Sequence, residues 1–173
     1  MACLMVPAAT GCAGLRAPAQ TPSAAHPATT YYVDSVAGND SASGTSTGQA
    51  WKSLQTVNSM TFSPGDRILL KSGGVWTGSL SPRGSGAAAA PIVVDKYGGD
   101  AKPVINGNGE VENTVFLRNQ EYWEINNLEI TNRGSEPKLR RGVYVLAENY
   151  GDMHHIYLRS LDVHDVNGID SDK

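Results

Sequence analysis

Three residues with acid–base chemistry, Glu129, Asp162 and His164, fall in two stretches that repeat one pattern. The stretches are YWEINNLEITN, residues 122–132, and HIYLRSLDVHD, residues 155–165. A constant interval of 33 residues aligns Trp123 with Ile156, Ile125 with Leu158, Leu128 with Leu161, Ile130 with Val163 and Asn132 with Asp165. Stacked as neighbouring strands, equivalent residues sit ~4.8 Å apart. Glu129 then lies over Asp162 on an outer face, and Thr131 over His164. Paired carboxylates can hold calcium. At the right separation they can serve as acid and base in glycoside hydrolysis. They can equally be two solvated carboxylates on a strand face. Asn132 over Asp165 reads as a hydrogen-bond ladder at a turn. His154 and His155, if extended, face opposite sides, which argues against a shared zinc. His164 and Asp165, as strand neighbours, are expected to point apart, and no GxSxG nucleophile motif is present to complete a triad.

The elements that position these residues follow from the same repeat. Each unit reads apolar, x, apolar, two polar, apolar, x, apolar. The polar pairs, Asn126-Asn127 and Arg159-Ser160, interrupt strict alternation and predict a bend between two short strands. Such a bend repeated at coil-length spacing predicts a parallel β-helix. All six apolar residues Ile125, Leu128, Ile130, Leu158, Leu161 and Val163 are expected inside. Further strands are expected at YYVDS, RILLKSG, PIVVDKYG, PVINGNG, VFLRN and GVYVLAEN, with Val143 and Val145 over Val115 and Leu117. WKSLQTVNSM, residues 51–60, has the apolar spacing of an amphipathic helix of two to three turns. About four to five coils fit in the chain.

Composition bounds the remaining choices. The chain has 173 residues, net charge −3, 18% charged residues and 19 glycines. Abundant turns and low charge suit short strands better than a helical bundle. The acidic balance argues against a nucleic-acid partner, and no stretch is long and apolar enough for a membrane helix. Both cysteines, Cys3 and Cys12, lie in the first dozen residues, so no disulfide framework holds the body of the chain. Residues 1–30 are rich in Ala, Pro and Thr and read as a leader and linker before the domain at 31–173. The leader has features of a secretory signal, and Thr10-Gly11-Cys12 approaches a bacterial lipobox, with Cys12 the lipidation candidate. Cleavage near Ala17-Pro18-Ala19 is the competing reading. Export or an outer-surface lipoprotein is the expected location.

In the loop AGNDSASGTSTG, Asp34, Asn39 and Asp40 bring hard oxygen ligands close together. They are candidates for calcium or for Asx turns. SEPKLRRG is a basic loop whose Lys138, Arg140 and Arg141 could neutralise an acidic polysaccharide. Phe116 and Tyr144 should stack on neighbouring coils and offer a ledge to a sugar.

From Tyr31, YYVDSVAGNDSASGTSTGQAWKSLQTVNSMTFSPGDRILLKSGGVWTG resembles the N-terminal cap of secreted right-handed parallel β-helix proteins of the pectin-lyase-like superfamily. The shared marks are the opening strand, the GND-x-x-x-GT-type loop, the short WKSL helix and the PGD-x-I-L strand. The resemblance runs to about Gly168. It implies an all-β right-handed parallel β-helix with an N-terminal capping helix. It implies a carbohydrate-active protein, monomeric at full length, with a polysaccharide substrate. Within that reading a polysaccharide lyase acting by β-elimination leads. The alternatives are a glycoside hydrolase with paired carboxylates and a non-catalytic, adhesin-like binding protein. The second unit is followed by no further strand, so the chain reads as the N-terminal part of a longer protein, inactive alone and exposing apolar surface.

Overall fold

The computed structural model describes residues 27–169. Cys3, Cys12, the leader expected before Pro27 and the Ala17-Pro18-Ala19 site lie outside the described residues. The strands are β1 (Thr30–Val33), β2 (Arg67–Lys71), β3 (Val75–Thr77), β4 (Ile92–Tyr97), β5 (Val104–Asn106), β6 (Asn113–Arg118), β7 (Trp123–Asn126), β8 (Glu129–Asn132), β9 (Arg141–Leu146), β10 (Ile156–Arg159) and β11 (Asp162–Val166). The single α-helix among the described residues, α1, spans Leu54–Ser59.

All strand pairings are parallel. One sheet runs β1-β2-β4-β7-β10, a second β11-β8-β5-β3, and a third pairs β6 with β9. Successive coils visit these sheets in turn, which makes a right-handed parallel β-helix of about three turns, against the four to five coils expected. The interval of 33 is realised residue by residue: Ile156 pairs with Trp123, Leu158 with Ile125, Asp162 with Glu129 and Val163 with Ile130. Val143 lies beside Val115 and Val145 beside Leu117. The bend is real, and its second polar residue carries the left-handed backbone in both units, Asn127 at φ 56° and Ser160 at φ 53°.

Inward side chains form continuous apolar rows. Tyr31, Ile68, Val94, Ile125 and Leu158 succeed one another across the first sheet. Trp76, Ile105, Ile130 and Val163 do so across the second. Burial of such a row supplies most of the favourable free energy of a solenoid, because each coil touches only its neighbours. Of the six apolar residues expected inside, Ile125, Leu128 and Ile130 are fully buried and Leu161 packs against the core. Leu158 and Val163 are instead 43% and 48% exposed. Their side chains point inward, but no described strand lies beyond them.

The opposite end is closed. Trp51, Leu54 and Val57 are buried there, as expected, although the helix begins only at Leu54. Ser53 caps α1 by accepting from Thr56 N–H at 3.3 Å. Trp51 stacks on Tyr31 at 4.8 Å between ring centres and donates through Nε1 to Ala42 C=O at 3.0 Å. Gly44, at φ 76°, passes directly against that indole: a Cβ there would stand 2.4 Å from Trp51 Cε2. The PGD turn has a similar local cause. Buried Asp66 accepts from Thr29 N–H and Ser63 N–H, both at 2.8 Å, and joins the turn to the strand before it.

Candidate functional site

The outward residues of the last two coils carry most of the chemistry. On the second sheet, Glu129 and Asp162 occupy paired positions on β8 and β11, as expected. Neither stands free. Asp162 Oδ1 lies 2.8 Å from Lys102 Nζ, and Glu129 Oε1 lies 3.2 Å from His164 Nε2. His164 Nδ1 is in turn 3.1 Å from Asp165 Oδ2, and Asp165 Oδ1 accepts from Arg133 at 3.2 Å. The imidazole is thus held between two carboxylates. Its pKa is raised, first by the hydrogen bond to Asp165 and then by that to Glu129. The Asp165 carboxyl is held below the usual range by His164 and then Arg133.

This geometry corrects the expectation that His164 and Asp165 point apart. The pairing slips between His164 and Val166, so that Val166 rather than Asp165 stands opposite Asn132. Asp165 takes φ 49° and is the residue the bulge leaves over. The expected Asn132–Asp165 ladder is lost with it. Asn132 is buried and works alone, accepting from Gly109 N–H at 3.1 Å and donating to Val111 C=O at 2.9 Å and Arg141 C=O at 3.3 Å.

A second charged group lies on the first sheet. Glu124 Oε1 is 2.8 Å from His155 Nε2, and its Oε2 accepts from Arg159 at 3.0 Å. Glu121 Oε2 is 2.8 Å from His154 Nδ1. Tyr122 stacks on both imidazoles, at 6.2 and 5.9 Å between centres, and His155 lies 4.1 Å from the Tyr157 ring. The two histidines therefore serve separate carboxylates. Glu121 and His154 are 33 residues apart, so the repeat interval itself was a signal that could have found that pair.

The basic loop differs from its expected role. Arg140 is 5% exposed, donating from Nε to Gly109 C=O at 2.9 Å and from Nη1 to Asn167 C=O at 3.5 Å. It is spent on tying together the turns at Gly109 and Asn167 rather than presented to solvent. Lys138 pairs with Glu110 at 3.5 Å, and Arg141 with Glu112 at 2.5 Å. Each of these two cations thus has a carboxylate partner. Phe116 and Tyr144 stack on adjacent strands, 5.6 Å between centres and 7° between planes, with the Arg141 guanidinium 4.4 Å from the Tyr144 centre. Both rings are half-buried, and stacking occupies one face of each on the other.

The calcium candidates Asp34, Asn39 and Asp40 each have other partners. Asp34 Oδ1 accepts from Val36 and Ala37 N–H, and its Oδ2 binds Lys71 Nζ at 2.7 Å. Burial alone would push the Asp34 carboxyl up, but these bonds outweigh it and hold it low. Asn39 Oδ1 accepts from Ser41 N–H, and Asp40 Oδ1 from Lys52 and Ser53 N–H. The oxygens look to three different places, two of them Asx-type turns. Among the described residues no group of three or more His, Cys, Asp or Glu could hold a metal ion. No helix among them is long and apolar enough to cross a membrane.

No family model matches the chain. Two crystal structures of the GH136 lacto-N-biosidase from Eubacterium ramulus are similar to it. The selenomethionine derivative gives a TM-score of 0.74 at 33% identity, covering 80% of this chain and 27% of that one. The native protein gives 0.71 at 32% identity, with the same coverage. The lacto-N-biosidase of Bifidobacterium longum subsp. longum is 31% identical over 193 aligned positions, which take in 81% of this chain and 12% of that protein. The chain thus spans about a quarter of the one relative and about an eighth of the other.

Proposed function

We propose that this chain forms the cap and first coils of a carbohydrate-active β-helix protein that acts as a glycoside hydrolase of the lacto-N-biosidase kind. The observation that carries the reading is the likeness to lacto-N-biosidases from two organisms, at 31–33% identity over four-fifths of the chain. Of the chemistries open from the sequence, β-elimination on a uronate polymer loses the support it drew from the basic loop. Arg140 is internal, and Lys138 and Arg141 are paired with carboxylates. Hydrolysis asks for an acid and a base among carboxylates or their equivalents, and no neutralised uronate. In this chain the outward faces bearing Glu129, Asp162 and His164 and bearing Glu124, His155 and Arg159 carry groups that both donate and accept hydrogen bonds, as sugar contact requires. The leader around Cys12 would place the protein outside the cytoplasm.

The test uses the parent protein that contains this chain, incubated with a chromogenic lacto-N-bioside and, separately, with pectate and alginate. Release of the chromophore without ultraviolet-absorbing unsaturated ends is the expected result. Unsaturated ends from a uronate polymer would show a lyase, and glycan binding without any cleavage would show a binding module.

A further inference from the structure

Asparagine followed by glycine occurs three times, at Asn106-Gly107, Asn108-Gly109 and Asn167-Gly168. Such a step is chemically labile, because glycine has no side chain to keep its nitrogen away from the asparagine amide. The fold holds each of the three by different means. Asn106 Oδ1 accepts from Asn108 N–H at 2.7 Å, and Gly107 N–H donates to Thr131 C=O at 2.8 Å. The Asn167 amide is held by the Gly134 main chain, accepting from its N–H at 2.9 Å and donating to its C=O at 2.6 Å. Asn108 differs. It is exposed, and its side-chain amide has no partner among the described residues. Only the nitrogen that follows it is held: buried Gly109 donates to Oδ1 of buried Asn132 at 3.1 Å. Both glycines of this turn have a steric cause. A Cβ at Gly107 would stand 2.4 Å from Asn132 Oδ1, and one at Gly109 would stand 2.3 Å from Gly134 Cα. The next coil thus demands glycine after each asparagine, and its Asn132 amide covers the nitrogen of the second.

We propose that Asn108-Gly109 is a site of self-modification that Asn132 holds shut. When the turn opens locally, the Gly109 nitrogen is released and attacks Asn108 Cγ. A C–N bond closes a five-membered succinimide. The bond from Cγ to the side-chain nitrogen breaks, and that nitrogen leaves as ammonia with the Gly109 proton. One water then opens the ring at either carbonyl and leaves aspartate or isoaspartate. Water is the sole co-reactant. While the Gly109 N–H is buried against Asn132, base cannot reach its proton and the nitrogen stays inert. Isoaspartate adds a carbon to the main chain and a negative charge beside it, where Gly109 must fit against Asn132 and Gly134. Refolding does not reverse that change, so the modification records that this turn has opened. The inference does not depend on any activity towards glycans.

The test incubates the full 173-residue chain and its Asn132→Ala variant at mildly alkaline pH and reads aspartate and isoaspartate at each asparagine by peptide mass spectrometry. The natural chain should stay intact at all three Asn-Gly steps over a time in which the urea-unfolded chain is modified at each. Asn132→Ala should be modified at Asn108 about tenfold or more faster than the natural chain, since losing a buried bond raises the open population by that order. Asn106 should remain intact in the same variant, because Gly107 keeps its bond to Thr131. Equal modification at Asn106 and Asn108 would show general unfolding and overturn the proposal. An intact Asn108 in the variant would overturn it too, as would modification of Asn108 in the natural chain at the urea rate. Amide exchange at Gly109 in the natural chain decides the matter even where Asn132→Ala does not fold: it should be far slower than in urea, and exchange at the unfolded rate would overturn the proposal.

Discussion

Ile130 and Val163 occupy the same position in successive coils and differ chiefly in what lies beyond them. Ile130 is fully buried, with Ile105 on one side and Val163 on the other. Truncating it to alanine removes three carbons and leaves a cavity that the paired strands cannot close. The expected cost is about 3 kcal/mol, within the ~2–5 range for a buried aliphatic residue. For a chain of this length that is roughly a 6–12 °C fall in melting temperature. Val163→Ala deletes two methyl groups from a side chain that is 48% exposed, so its cost should stay below about 1 kcal/mol. Urea unfolding followed by circular dichroism at low protein concentration measures both. A fall in midpoint at unchanged slope reports stability alone. Equal costs at the two positions would refute the reasoning, because burial by the following coil would then not be what separates them. A Val163→Ala cost that grew with protein concentration would point instead to an edge covered by association.

Three further outcomes are expected. Asn132→Leu should cost about 3 kcal/mol or more in urea unfolding, since Gly109 N–H and the carbonyls of Val111 and Arg141 all lose their partner; a loss under about 1 kcal/mol would mean that water replaces the amide. The His164 contribution is complete below the ordinary 6.5 and is lost as pH rises through its raised pKa, while that of Asp165 is complete above 3.8 and is lost as pH falls through its lowered pKa. The difference in urea midpoint between the natural chain and His164→Gln should therefore be largest between pH 3.8 and 6.5 and shrink as pH rises above 6.5, and a difference independent of pH would remove the carboxylate clamp. In the parent protein, Glu129→Gln and Asp162→Asn should each lower kcat less than about tenfold, because Lys102 and His164 already engage both carboxylates; a loss of about a hundredfold or more would make this face the acid–base site.

What the sequence by itself determined is the solenoid and its register. An apolar alternation broken by two polar residues and repeated every 33 positions is one-dimensional information, and a fold in which each coil meets only its neighbours uses nothing else. Ile125, Leu128 and Ile130 inside, Glu129 beside Asp162, and the bend at Asn127 and Ser160 all follow from that interval, while the Phe116–Tyr144 stack follows from a matching strand pattern 28 residues apart. What only the tertiary structure decided concerns contacts that break the interval. A single extra residue at Asp165 turns its carboxylate toward His164 and Arg133, and no local propensity announces a one-residue slip. Arg140 looks like any loop cation until Gly109 and Asn167 arrive from turns 31 and 27 residues away to accept its protons. Asp34 looks like a calcium ligand until Lys71, 37 residues on, takes the oxygen. In each case the side chain's type allowed two fates, and a partner that helped choose between them, Arg133, Gly109 or Lys71, came from a different coil.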